Sequence, residues 1–155
     1  MGCDKCGAEF SGDETCLARF HALLAAEVDN EELRQMHGLT VLTYHLQHPT
    51  LTKPWYQNFG AGVLQRVFGQ GDDWGEVLME THPRRIGRRA DAVIARLKAA
   101  GGSAMPNWVV THPIAGELTI ATIDPDPSLG PAQQILAWAR SVAEDRYLRT
   151  GDVQR

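Results

Sequence analysis

The chain has 155 residues, enough for one domain with its own core, and its 43% apolar and 22% charged content is that of an ordinary globular protein. A formal net charge of -4 leaves no positive excess to neutralise a phosphate backbone, so nucleic-acid binding is not expected. No apolar run approaches the roughly 18 residues that span a bilayer, and the polar opening from Met1 to Phe10 lacks the apolar stretch of a signal peptide, so a cytoplasmic location without membrane partners is expected.

In chain order, Met1 to Gly12 reads as a loop carrying Cys3-x-x-Cys6-Gly7. Asp13 offers an N-cap for a first helix to about Val28, with Leu17, Phe20 and Leu24 on one stripe. Asn30 is placed to cap a second helix, and Glu31 and Glu32 suit the positive end of its dipole. That helix ends before Pro49, because the residue preceding a proline avoids helical angles. It carries apolar Leu39, Leu42 and Leu46 on one side and His37, Thr40, Val41, Tyr44 and His48 on the other, the pattern of a helix buried between neighbours.

Pro54 suits the first turn of a third helix, with Trp55, Phe59, Val63 and Val67 facing the core, and Gly60 and Gly62 allowing a neighbour to approach. Gly69-Gln70-Gly71 ends it, and Asp72 or Asp73 caps a short helix to about Glu80. Pro83 opens a fifth helix to Ala100, its Arg84, Arg85, Arg88 and Arg89 read as a solvated basic face. Trp108 and its neighbours suggest a short extended piece, and Leu118 to Ile123 reads as a short strand or as one helical turn capped by Thr119. Pro131 opens a last helix to about Arg149, anchored by Ile135, Trp138, Val142 and Tyr147. The expected fold is therefore mainly α. It is a single-domain bundle of about six helices over residues 1–155, with a zinc-knuckle-like loop at 1–16 and a frayed tail at 150–155.

All three cysteines fall in the first 16 residues. An odd number without a secretion signal does not suggest a disulfide framework; clustered cytosolic cysteines are more often metal ligands or redox groups. Zinc takes thiolate and imidazole, with four ligands in a closed structural site. Cys3 and Cys6 supply two from one turn, and Cys16, in the first turn of a helix whose dipole favours a thiolate, supplies a third. If the first two helices form a hairpin about Asp29, Cys16 lies level with about residue 42. That brings His48 and His45 within reach; His48 is preferred because it ends its helix, with His45 and then His21 as alternatives. The expected metal set is thus Cys3, Cys6, Cys16 and His48 around Zn2+. A redox dithiol fits less well, since no strand precedes Cys3 as a thioredoxin-like motif requires.

The chain resembles a bacterial family known as a domain of unknown function. The resemblance rests on Cys3-Asp-Lys-Cys6-Gly7, on Cys16 leading into Leu23-Leu24-Ala25-Ala26-Glu27, and on His37-Gly-Leu39-Thr40-Val41-x-x-Tyr44-x-x-Gln47-His48-Pro49. Looser echoes lie in Gly116-Glu-Leu-Thr119 and Trp138-Ala-Arg-Ser-Val142. It implies a shared helical fold and Cys/His constellation, and no reaction. Two functions then compete. One is a zinc-binding adaptor or regulatory module with a protein or small-molecule partner. The other is a metal-dependent enzyme acting on a small molecule at a pocket lined by His37 and Tyr44.

Overall fold

A computed structural model describes residues 2–81 and 118–145. Its first helix, α1, spans Cys16–Ala26. The cap is Thr15 rather than Asp13: its hydroxyl accepts the Ala18 N–H at 3.1 Å. Helix α2 spans Glu31–Gln47, and the Asn30 side chain accepts the Leu33 N–H at 3.2 Å, as its sequence position indicates. After a single 3-10 turn at Pro49–Leu51, α3 runs over Pro54–Leu64 and passes into a π-helical turn at Gln65–Gln70. Gly71, at φ 81°, ends that turn in the left-handed region open to glycine. Helix α4 covers Trp74–Thr81. Leu118 to Ile123 takes the helical alternative, a 3-10 turn at Ile120–Thr122 capped by the Thr119 hydroxyl. A third 3-10 turn, Pro127–Leu129, precedes α5 at Pro131–Ala143. The fold is mainly helical; among the described residues there is no strand, only one isolated antiparallel bridge between Gly2 and Glu9. The expected helix at 83–100, the Trp108 piece, Tyr147 and the tail lie outside the described residues.

Helix α2 is the axis. Leu33, Leu39, Thr40, Thr43, Leu46 and Gln47 are fully buried, spread around its circumference rather than along one stripe. It packs on α5, α3 and α1. From α5 come Ile135, Trp138, Ala139 and Val142, all fully enclosed. At the centre of this contact the Trp138 indole N–H donates to Gln47 Oε1 at 2.9 Å, and the Gln47 amide donates to the Leu118 carbonyl at 2.9 Å. One buried amide thus joins α2, α5 and the segment entering the 3-10 turn. Arg19 of α1 reaches the Ile123 carbonyl at 2.9 Å and fastens α1 to the end of that turn.

Gly60 is where α3 meets α2 most closely. A Cβ there would lie 3.2 Å from Leu42 Cγ and 3.3 Å from both Leu46 methyl carbons. Both leucines are buried and cannot swing away. Gly60→Val is expected to destabilise the fold by about 2 kcal/mol through overpacking, read as a lower urea midpoint at unchanged slope. An unchanged midpoint would show that the two helices are not held at this separation.

Candidate metal centre

Residues 2–9 form a tight hairpin. The Cys3 N–H donates to the Ala8 carbonyl at 2.8 Å and the Gly7 N–H to the Cys3 carbonyl at 2.9 Å. Gly7 sits at φ 73°, a conformation a residue with a Cβ adopts only at a cost, so the glycine after the second cysteine is what lets the chain turn back. The turn also aims amides at sulfur: Lys5 and Cys6 N–H groups reach Cys3 Sγ, and the Ala8 N–H reaches Cys6 Sγ. The Thr15 cap then makes Cys16 the first residue of α1 and faces its thiol toward the hairpin, with Cys6 Sγ and Cys16 Sγ 3.5 Å apart.

His48 arrives from the opposite end of α2, where it caps the C-terminus. Its Nδ1 lies 2.8 Å from the Tyr44 carbonyl. A carbonyl only accepts, so the proton is on Nδ1 and the Nε2 lone pair is free. Nε2 lies 3.6 Å from Cys3 Sγ. The His48 ring also stacks on Tyr44 at 4.3 Å, and Tyr44 stacks on Phe20 of α1 at 4.0 Å and 5°. Ring plane and tautomer are therefore both set by Tyr44, the kind of support that orients an imidazole ligand.

The three sulfurs and His48 Nε2 all lie within 4.8 Å of one another. Four ligands at zinc bond lengths form a tetrahedron with edges of roughly 3.5–3.8 Å. The Cys6–Cys16 and Cys3–His48 separations of 3.5 and 3.6 Å already match two opposite edges. Cys6, Cys16 and His48 are buried, and Cys3 is partly exposed. All three cysteines are free thiols.

Burial and the proximity of the sulfurs to one another set the electrostatics of the cluster. Burial pushes the Cys6 and Cys16 thiols up, and each is raised further by a neighbouring sulfur. Burial also opposes ionisation of Cys3, but the amides of Lys5 and Cys6 and the other two thiols outweigh it, and its pKa is lowered. Burial holds His48 below the ordinary imidazole value, so the ring is neutral and able to donate its lone pair. Tyr44 is pushed up to about 12 by burial and then by the charge of the three sulfurs, which keeps it a phenol at neutral pH. Three soft donors and one oriented imidazole, with Lys5 turned to Asp4 at 2.9 Å, form a group that can hold a metal ion.

The other histidines stand apart. The His45 ring is enclosed by Phe20, Tyr44 and Tyr56, with centroids 6.1, 5.6 and 5.6 Å away. His21 is on an exposed position of α1. His37 Nδ1 lies 2.7 Å from Glu27 Oε2, joining the second turn of α2 to the C-cap of α1, and it does not line the groove beside Tyr44.

Two features of the site carry no sequence signal. Gln57 of α3 donates to the His45 and Pro49 carbonyls, at 3.1 and 3.4 Å, and to the Thr52 hydroxyl, clamping the turn on either side of His48. A groove of about 470 Å³ opens beside the cluster and reaches Cys3, Cys16, Tyr44 and His48. Its outer walls include Phe10, Leu17 and Leu51. Leu17, placed by spacing on the packing stripe of α1, is instead 52% exposed on the groove's rim.

Among the described residues, no helix is long and apolar enough to cross a membrane. No curated protein and no solved structure matches the chain. A family model does match, over residues 1–147, and the chain belongs to that family, the family of unknown function DUF5946.

Proposed function

We propose that the chain is a zinc-binding helical protein in which Cys3, Cys6, Cys16 and His48 are the ligands and the ion is structural, serving an adaptor or regulatory module. The observation that carries this reading is the convergence of four donors from three separate stretches of chain, with the His48 Nε2 lone pair freed by the Tyr44 carbonyl. Zinc suits the set because thiolate and imidazole are its usual ligands and three sulfurs favour a closed site. On this reading 1–155 is one helical domain with residues 1–16 as its metal-binding piece. Its thiols belong to a reducing compartment such as the cytoplasm.

Elemental analysis of purified protein tests it. About one zinc per chain is expected, retained by His45→Ala and lost from His48→Ala. Zinc that survives His48→Ala but not His45→Ala would overturn the ligand assignment.

The groove favours a second reading, a metal-dependent enzyme, because it opens onto partly exposed Cys3 and runs beside Tyr44. His37 has no place in it. X-ray absorption at the zinc edge separates the two. Three sulfurs and one nitrogen support the structural site, whereas an oxygen in the shell supports an exchangeable position for substrate.

A further inference from the structure

Among the described residues four large apolar side chains are exposed: Leu17, Val28, Leu51 and Leu129. Two of them, Leu17 at 52% and Leu51 at 56%, line the groove that borders the cysteine cluster. They come from different elements, the start of α1 and the 3-10 turn after α2, and both line this groove. Phe10, from the loop between the two halves of the centre, adds a third apolar surface. Apolar groups gathered on a polar surface mark recognition sites.

The charge around this apolar floor is net negative. Asp13 and Glu14 line the groove. Lys5 also lines it, but its ammonium is engaged by Asp4 at 2.9 Å. Glu14 is only loosely met by Arg19, at 3.5 Å, and that guanidinium is also donated to the Ile123 carbonyl. If the zinc reading holds, three thiolates and a neutral imidazole around a divalent ion leave one further negative charge at the floor. A closed site cannot bind a ligand through the ion, so what it offers is shape and field.

From this we infer that the groove is a docking site for a partner protein segment that presents one or two large apolar side chains next to a lysine or arginine. The inference rests on the proposed zinc site for part of its charge and for the rigidity of its floor. The apolar side chain enters between Leu17, Leu51 and Phe10, and the basic residue lies against Asp13 and the sulfur cluster. A protein segment fits better than a small molecule. Both leucines are more than half exposed, so they extend past the cavity and present an interface rather than enclosing a ligand on most of its surface. Complementary charge sets orientation and speeds encounter, and apolar anchors at the centre supply most of the affinity.

The test uses the full-length, zinc-assayed chain as bait for a display library of random dodecapeptides. Enrichment of sequences with Leu, Phe or Trp within three residues of Lys or Arg is expected. Leu17→Glu and Leu51→Glu, both at exposed positions that leave the core untouched, should each weaken a selected peptide by at least ~10-fold, about 1.4 kcal/mol. Asp13→Lys should weaken it severalfold, with the loss disappearing at high salt. Peptides without a basic residue, no enrichment, or peptide binding indifferent to both leucine variants would overturn the proposal. So would self-association of the chain abolished by Leu17→Glu, which would make the occupant a second copy. If the preparation holds no zinc yet selects the same peptides, the docking surface stands and the metal reading falls. If zinc is present and selection fails, the reverse holds.

Discussion

On the proposed zinc site, Cys16→Ser is expected to lose the metal and keep the helical core. The thiol sits buried at the first residue of α1, and a serine hydroxyl there offers zinc neither the thiolate nor the imidazole it prefers. Loss of a supporting residue around a zinc site typically weakens binding by about 10–100-fold, and loss of a ligand should exceed that, at least ~100-fold here. Residues 2–15 have few other anchors: Cys6 and Ala8 are their buried residues, Phe10 packs partly buried against the core, and the backbone bonds at Cys3 and Gly7 close just one turn. In isolated zinc-finger peptides the metal contributes about 10–16 kcal/mol of apparent binding energy, and it is spent on folding. Here the expense is local, because the α2–α5 core contains no ligand except His48 at its edge. Removal of the ion with a chelator should therefore act like Cys16→Ser. Amide hydrogen exchange should rise across residues 2–15 and at the C-terminal turn of α2, while far-ultraviolet circular dichroism keeps most of its helical signal. Stoichiometric zinc in Cys16→Ser, or loss of all helical signal on chelation, would contradict this division between a metal-held piece and a self-sufficient core.

The second large effect belongs to that core. Trp138 is fully buried and its indole N–H is the donor that satisfies Gln47 Oε1. Trp138→Ala would leave a cavity between α2 and α5, which typically costs about 3–5 kcal/mol. It would also strand a buried amide oxygen, adding about 1–3 kcal/mol. Domains of this size are stable by about 5–15 kcal/mol in total, so the variant should be unfolded or nearly so at 37 °C. Trp138→Phe separates the two costs: it keeps most of the ring volume and removes the donor, so it should lose only the hydrogen-bond share. Urea denaturation of both variants measures the difference. A Trp138→Phe variant as stable as the unsubstituted protein would mean that the Gln47 bond contributes nothing beyond packing.

Much of this architecture is legible along the chain. Asn30 caps α2, Pro49 stops it, Pro54 and Pro131 open helices, and Gly71 closes the turn after α3, because each of these acts through backbone sterics or bonds within a few residues. The apolar residues on both sides of α2 announced a helix with neighbours all round, and burial around its circumference agrees. The exchange of Asp13 for Thr15 as the cap is a small miss with a clear cause. Either side chain can accept an N–H, and which one does depends on where the hairpin delivers the chain to α1. Leu17 shows a larger limit. Spacing put it with Phe20, but spacing does not say that the hairpin's Cys6, rather than another helix, occupies the ground beside Cys16, leaving Leu17 on an open rim.

What the sequence by itself determined is the donor chemistry: three thiols near one end, a glycine that turns them together, and a histidine at the close of an inner helix. Those are properties of residue type and short spacing. Only the tertiary structure shows which histidine stands beside the sulfurs, since His45 and His48 are three positions apart and spacing leaves both within reach. His45 is packed among aromatic rings, while the turn clamped by Gln57 and the carbonyl of Tyr44 present the His48 lone pair to the sulfurs. The distinction rests on contacts from α1, α3 and the hairpin at once. Long-range packing of this kind selects one orientation of one ring, and no local pattern in the chain encodes it.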